Sequence, residues 1–194
     1  MEPLRFPSGK IALRAKAFSL IKERSFFRQR IVLTSGRESD FYFDMKPTMF
    51  HPEGAALLAE LILQNLDGLK VDYAGGLAVG AVPLLSPLAM ESYRKGRPIP
   101  GFFVRKEIKG HGTRRRIEGL DARQSLAGKS VVILDDVTTT GGSAMLAVNA
   151  AQDAGATVVL VLSVVDREEG AAEFYKAAGI PFRAIFTASE FLKS

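Results

Sequence analysis

The stretch VVILDDVTTTGGSAML, residues 131–146, decides the fold. Its apolar opening, within a strand predicted over Ser130–Asp135, has the length and β-branched content of a buried strand. Two carboxylates, Asp135 and Asp136, close that run and a Thr/Gly loop follows. The spacing then predicts a helix over Gly142–Ala154, with Gly155 as the residue that stops it. An apolar strand feeding a helix through a short loop is one half of a parallel crossover unit.

The same alternation extends in both directions. Thr157–Val165 reads as a strand, Glu168–Ala178 as a helix and Phe182–Phe186 as a strand. Upstream, Glu53–Leu66 reads as an amphipathic helix behind Pro52, whose missing N–H is harmless at a first helical position. Val71–Gly75 is a short strand, Val82–Lys95 a helix whose start is blurred by Pro83 and Pro87, and Gly101–Arg105 a strand. The fold class is therefore α/β: a doubly wound, mainly parallel five-stranded sheet. Ahead of it, Lys10–Arg24 has near-helical apolar spacing. Arg30–Thr34 and Phe41–Asp44 flank a Ser-Gly turn and suggest a hairpin. We expect one domain over 1–194, with a helix and hairpin hood at 1–50 and the core at 51–194.

Composition narrows the function classes. The chain has 194 residues, 47% hydrophobic and 24% charged, which excludes disorder, collagen and coiled coil for its bulk. It has no Cys, so thiolate metal sites, iron–sulfur clusters and Cys nucleophiles are excluded, and a reducing, cytoplasmic setting is expected. The first residues carry charges and prolines without an apolar h-region, so no signal peptide is expected, and no run of about 18 apolar residues predicts a membrane span. The net charge of +5 is modest, yet Arg105–Arg116 (RKEIKGHGTRRR) is strongly basic with a single Glu.

In a doubly wound sheet, ligands bind beyond the carboxyl ends of the strands. The candidates are thus Gly75–Ala81, Arg105–Arg116, Asp135–Ser143 and Asp166–Gly170. Gly141 and Gly142 allow close backbone approach, and successive N–H groups at a helix N-terminus favour an anion. Thr138, Thr139, Thr140 and Ser143 add hydroxyl donors, completing a phosphate cradle. Two Asp beside a bare phosphate would repel it. They make sense if the ligand also presents hydroxyls, as a ribose 5-phosphate does, or brings Mg²⁺ held mainly by its own oxygens and water. The competing reading is Asp and Thr merely capping the helix. No P-loop lysine lies in the loop, and Gly75–Gly80 lacks the middle Gly of a dinucleotide fingerprint. His51 has no partner at metal-ligand spacing and reads as a cap or surface residue.

The 131–146 stretch resembles the phosphoribosyl-diphosphate (PRPP) motif of type I phosphoribosyltransferases. FFVRKEIKGHGTRRRIEG, residues 102–119, is similar to the catalytic loop of the orotate phosphoribosyltransferases. LTSGRESDFYFD, residues 33–44, resembles that family's orotate-binding hairpin, and VDREEGA, residues 165–171, its segment with an orotate-binding Arg. The resemblance implies transfer of ribose 5-phosphate from PRPP to orotate, giving orotidine 5′-monophosphate and pyrophosphate. It implies PRPP binding by Arg105, Lys106, Lys109, His111, Asp135, Asp136, Val137, Thr138, Thr139, Thr140, Gly141, Gly142 and Ser143. Arg105, Lys109 and His111 would be catalytic. Thr139, Arg167, Tyr42 and Phe43 would contact orotate, the last two largely through backbone. It also implies Mg²⁺ with no direct protein ligand, and a homodimer whose Arg105, Lys109 and His111 reach the partner's site while Lys106 serves its own. Several relatives carry Lys where this chain has Thr34 and Gly80.

Other readings stay open at this point. Tyr42 and Phe43 equally suit core packing, and Arg167 a surface ion pair with Glu168 or Glu169. The cradle could serve another base as acceptor, although a purine offers no carboxylate to Arg167. It could also belong to a PRPP-sensing regulator with the basic loop on nucleic acid. No helix-turn-helix or interleaved aromatics support that reading, and neither nucleic acid nor membrane is an expected partner.

Overall fold

The computed structural model of the chain describes residues 9–32, 38–106 and 116–194. Helix α1 (Lys10–Arg24) is followed by four two-residue strands, β1 (Phe26–Phe27), β2 (Ile31–Val32), β3 (Glu38–Ser39) and β4 (Tyr42–Phe43). Then come α2 (Lys46–Met49), α3 (Pro52–Asn65), β5 (Tyr73–Gly76) and α4 (Val82–Arg94). A ribbon of β6 (Phe103–Val104) and β7 (Ile117–Glu118) precedes β8 (Ser130–Thr138) and α5 (Gly142–Asp153). The chain closes with β9 (Thr157–Asp166), α6 (Ala171–Ala177), β10 (Phe182–Thr187) and α7 (Ala188–Leu192).

The main sheet has four hydrogen-bonded parallel strands in the order β10-β9-β8-β5. The expected fifth strand reaches β5 only through two isolated parallel bridges, Ala74 with Gly101 and Leu77 with Val104. Its remaining bonding goes to β7, antiparallel. Along the sheet the order is therefore β6, β5, β8, β9, β10. The winding reverses between β5 and β8, which is where such sheets open a ligand crevice.

Side-chain alternation along the strands builds two cores. Val132, Leu134, Leu160 and Leu162 face α1, α3 and α4. Val131, Ile133 and Val161 face the other way, onto Ala144, Ala147, Val148 and Ala151 of α5 and Tyr175 of α6. Both faces are covered, so the strands read as unbroken apolar runs. α5 meets the sheet through small side chains, which brings its backbone close.

Several boundaries differ from expectation, each for a physical reason. β8 runs on to Thr138, past both carboxylates, because its ladder with β9 continues to the Thr138–Asp166 pair. The hairpin is also paired differently: β4 lies against β1 and β3 against β2, antiparallel in both cases. Phe26 and Phe27 thus take the partners expected of Arg30–Thr34. α6 begins at Ala171 and not at Glu168, since Gly170 holds a left-handed φ of 102° that ends the preceding turn. α2, β7 and α7 carried no sequence signal. α7 forms on a capping box, with Thr187 N donating to Glu190 Oε1 at 2.9 Å.

Candidate functional site

The site grows from the carboxyl ends of β5, β8 and β9. Asp135 is 8% exposed, and Thr138 Oγ1 donates to its Oδ2 at 2.7 Å. Burial first, and the neighbouring Asp136 charge second, push the Asp135 carboxyl up to about 7; the Thr138 hydroxyl and a backbone N–H pull the other way. Asp136 is less buried by surface exposure, and burial raises it too. Its carboxylate lies close against Gly80, where a Cβ would run into Oδ1 unless the Asp136 side chain moved. The turn through residues 77–81 is tied down by Ala78 N–H to Val104 O at 2.8 Å and Ala81 N–H to Leu77 O at 3.1 Å.

Beyond β8, Thr139 is partly exposed and Thr140, Gly142 and Ser143 are exposed around the first turn of α5. No side chain caps this helix. Asp135 bonds Thr138, so the capping reading of the Asp/Thr cluster does not hold, and the N-terminal N–H groups face the crevice without a side-chain acceptor. Val137 is half-buried and packs on the core beneath the loop.

Gly141 sets the loop's shape. It has a left-handed φ of 89°, and a Cβ there would meet Phe174 Cδ1 at 2.7 Å and Tyr175 Cε2 at 3.0 Å. Tyr175 donates its hydroxyl to Gly141 O at 2.8 Å, fixing the turn from below. Gly141→Ala is expected to lower stability by about 1–2 kcal/mol. It should also raise the KM for a ribose-phosphate ligand, because the cradle can no longer close. Thermal unfolding and substrate titration check both; an unchanged KM would remove this turn from binding.

Arg167 follows β9, and its N–H donates to Thr138 O at 2.9 Å, placing it beside the cradle. It is 6% exposed, so its ion pair is buried and not the surface pair entertained above. Nε donates to Glu169 Oε1 at 2.7 Å and Nη2 to Ser39 Oγ at 3.0 Å. The guanidinium lies 4.6 Å from the centre of the Phe41 ring. The arginine thus joins core to hood. Two of its five N–H donors are used, and the rest can grip a planar anion. Tyr42 stacks on Phe27 at 4.8 Å, while Phe43 packs on Phe26 and Phe191, both at 5.1 Å. Their side chains hold the hood together, which leaves backbone as the part able to meet a ligand.

Arg105 is placed on the ribbon, its Nε donating to Glu118 Oε1 at 2.6 Å and its N–H to Arg116 O at 2.9 Å. Lys106 is exposed. Lys109, His111 and Thr34 lie outside the described residues. Ser39 and Phe41, within the 33–44 hairpin but not singled out in it, touch Arg167, and Lys46, which the sequence reading missed, lies in the field of Asp136. Their relation to Arg167 and Asp136 links positions some 90 or more residues apart, and no local pattern announces it.

The phosphoribosyl transferase domain family matches residues 49–183. The orotate phosphoribosyltransferase of Rhodopseudomonas palustris is 58% identical over 186 residues, covering 96% of this chain and all of its own. The chain belongs to the orotate phosphoribosyltransferase family. Members of the family are pentosyltransferases of pyrimidine nucleotide biosynthesis, and this chain is one. Among solved structures, orotate phosphoribosyltransferase of Mycobacterium tuberculosis with Fe(III) dicitrate gives a TM-score of 0.79 at 37% identity, over 92% of this chain and 98% of that one. The same orotate phosphoribosyltransferase in complex with PRPP gives 0.76 at 34% identity, again over 92% and 98%.

Proposed function

We propose that this chain joins orotate to PRPP, releasing pyrophosphate and forming orotidine 5′-monophosphate. The observation that carries this is the pairing of two unlike anion sites across one crevice. One is the uncapped α5 N-terminus beside Asp135 and Asp136; the other is the buried Arg167 fork under the hood. A ribose 5-phosphate fits the first and a carboxylated base the second. Curated relatives at this identity are named for the orotate enzyme, which favours transfer over the sensor reading.

In this reading the Thr138–Ser143 loop holds the 5-phosphate and the two carboxylates accept the ribose hydroxyls. Arg167 and Thr139 orient orotate, with the backbone of Tyr42 and Phe43 against its ring. The bond from the anomeric carbon to the diphosphate oxygen breaks, the diphosphate leaves with the electron pair, and the pyrimidine nitrogen takes its place, its N–H proton passing to the diphosphate or to water. Fixed cations raise the rate when they hold the departing oxygens more tightly than the ground state. Arg105, Lys106, Lys109 and His111 are assigned this task. Arg105 would exchange Glu118 for the diphosphate.

Mg²⁺, when bound, supplies further neutralisation of the diphosphate. The donor set suits an ion that arrives on the substrate. Asp135 and Asp136 are adjacent carboxylates, and among the described residues no group of three or more His, Cys, Asp or Glu is placed to hold a metal. Association of two copies is supported by large apolar side chains left in solvent, Phe50, Met90 and Tyr93, and the sharing of loops between them follows from the family resemblance alone. A cytoplasmic setting is supported by the lack of Cys. Among the described residues no helix is long and apolar enough to cross a membrane.

The test follows orotate absorbance with the protein, PRPP and Mg²⁺. Loss of signal requiring all three, with orotidine 5′-monophosphate as product, is expected. A folded protein that binds PRPP and leaves orotate unchanged would overturn the base assignment.

A further inference from the structure

Lys46 lies near enough to Asp136 for their charges to interact, and no step of the proposed reaction uses it. It opens α2, directly behind the hood strand β4, so its place is set by the hairpin that covers the site. Its Nζ donates to Asp44 Oδ1 at 2.8 Å, and its backbone N–H to the same oxygen at 3.1 Å. The side chain is otherwise open, 66% exposed. The Asp44 hydrogen bond holds its ammonium charged against partial desolvation, and the fields of Asp44 and then Asp136 add to that. In return, the Lys46 charge joins the backbone N–H bonds of Val137 and Asp136 in partly countering the burial of Asp136.

The order of groups across the crevice gives Lys46 a place on the ligand. The Thr/Gly loop lies at one end, Asp135 bonds back to Thr138 of that loop, and Asp136 faces the other way, onto Gly80. Gly80 brings no side chain to this edge, so the turn through 77–81 offers a ligand its backbone there, with the Asp136 carboxylate close against it. A ribose 5-phosphate seated on the loop, with its hydroxyls on the carboxylates, points its anomeric end toward Asp136, Gly80 and Lys46. That end carries the diphosphate. An exposed ammonium beside two carboxylates is poised to trade part of its Asp44 contact for a stronger polyanion.

We infer that Lys46 is a substrate-binding residue for the diphosphate group of PRPP, reaching it from the hood across the Asp136–Gly80 edge of the crevice. The inference rests on the reading that this site turns over PRPP and orotate. Lys46 would then link hood position to the presence of diphosphate, since Arg167 ties the same hood to the core through Ser39.

The test compares wild type, Lys46→Met and Lys46→Arg in both directions of the reaction, with Mg²⁺ present. The side chain is open and caps nothing, so each variant should keep the wild-type unfolding midpoint. Lys46→Met is expected to raise the KM for PRPP and for pyrophosphate about tenfold or more, as befits loss of a charged hydrogen bond. The KM values for orotate and orotidine 5′-monophosphate should stay within about twofold. Lys46→Arg should restore most of the loss. Calorimetric titration with magnesium pyrophosphate alone gives the same comparison without turnover. An active wild type matched by Lys46→Met, or a variant that loses orotate and not pyrophosphate, overturns the role of Lys46 alone. A wild type inactive on PRPP plus orotate overturns the underlying reading and this inference with it.

Discussion

Arg167→Met is expected to raise the KM for orotate by about 10²- to 10³-fold, with the KM for PRPP moving far less. The guanidinium is nearly closed off from solvent, clasped by Glu169 and Ser39 and laid over Phe41. Its aim is therefore fixed before a ligand arrives, and little side-chain entropy is lost on binding. Removing it deletes a two-pronged partner for the orotate carboxylate and withdraws a positive charge from beside Glu169 and the incoming anion. Together these amount to about 3–4 kcal/mol. Arg167→Lys separates the parts, because it keeps the charge and loses the planar fork. It should recover some of the loss and not all of it. Steady-state kinetics with each substrate varied in turn decide the matter. Equal losses for both substrates would mean that Arg167 only fastens the hood, and an unaltered orotate KM would remove it from the site.

The cradle was legible in the sequence because its causes are local. An apolar run forces a strand, Gly141 permits the left-handed turn, and the helix follows within a few residues. The carboxylate pair was legible too, as chemistry that a phosphate loop does not need by itself. What was not legible depends on partners far along the chain. β8 overruns its apolar stretch because β9 offers a ladder as far as Asp166, and main-chain pairing is indifferent to the side chains it carries. The hood hairpin takes Phe26 and Phe27 as partners, a pairing that sets Phe26 into an aromatic cluster with Phe43 and Phe191. The strand expected from Gly101–Arg105 does lie along β5, but through isolated bridges, because its outer end pairs with β7. The buried setting of Arg167 depends on Ser39, 128 positions earlier. Each of these is a non-local pairing, set by the sheet's winding and the hood's closure, neither of which leaves a periodic trace.

Asp135→Asn is expected to abolish most turnover while making the free protein more stable at pH 8. The carboxyl of Asp135 is pushed up to about 7 by burial and by Asp136, so the folded chain holds its proton more tightly than the unfolded chain does. Between about pH 4 and 7 the native state then binds more protons than the unfolded one, and stability falls as pH rises. The loss grows up to about 7 and stops there. An amide at 135 never ionises, still accepts from Thr138 Oγ1, and escapes that loss. The gap between variant and wild type should open with rising pH, reach on the order of 1–3 kcal/mol above pH 7, and close toward pH 4. Asp136 and the Tyr175 ring beneath the loop are the other titrating groups in its field, and both favour the protonated form of Asp135 or are favoured by it. Activity runs in the opposite sense. The ribose hydroxyls are donors and need the ionised carboxylate, so wild-type kcat/KM for PRPP should rise with pH along a limb centred near 7. Asp135→Asn should lose that limb together with about 10²-fold or more of kcat/KM, as removal of a charged acceptor does. Denaturant titrations at several pH values and a pH–rate profile measure the two halves independently. A stability gap that does not change with pH would show that Asp135 is already ionised at low pH, and the carboxylate pair would then be a fixed anion and not a proton-linked one.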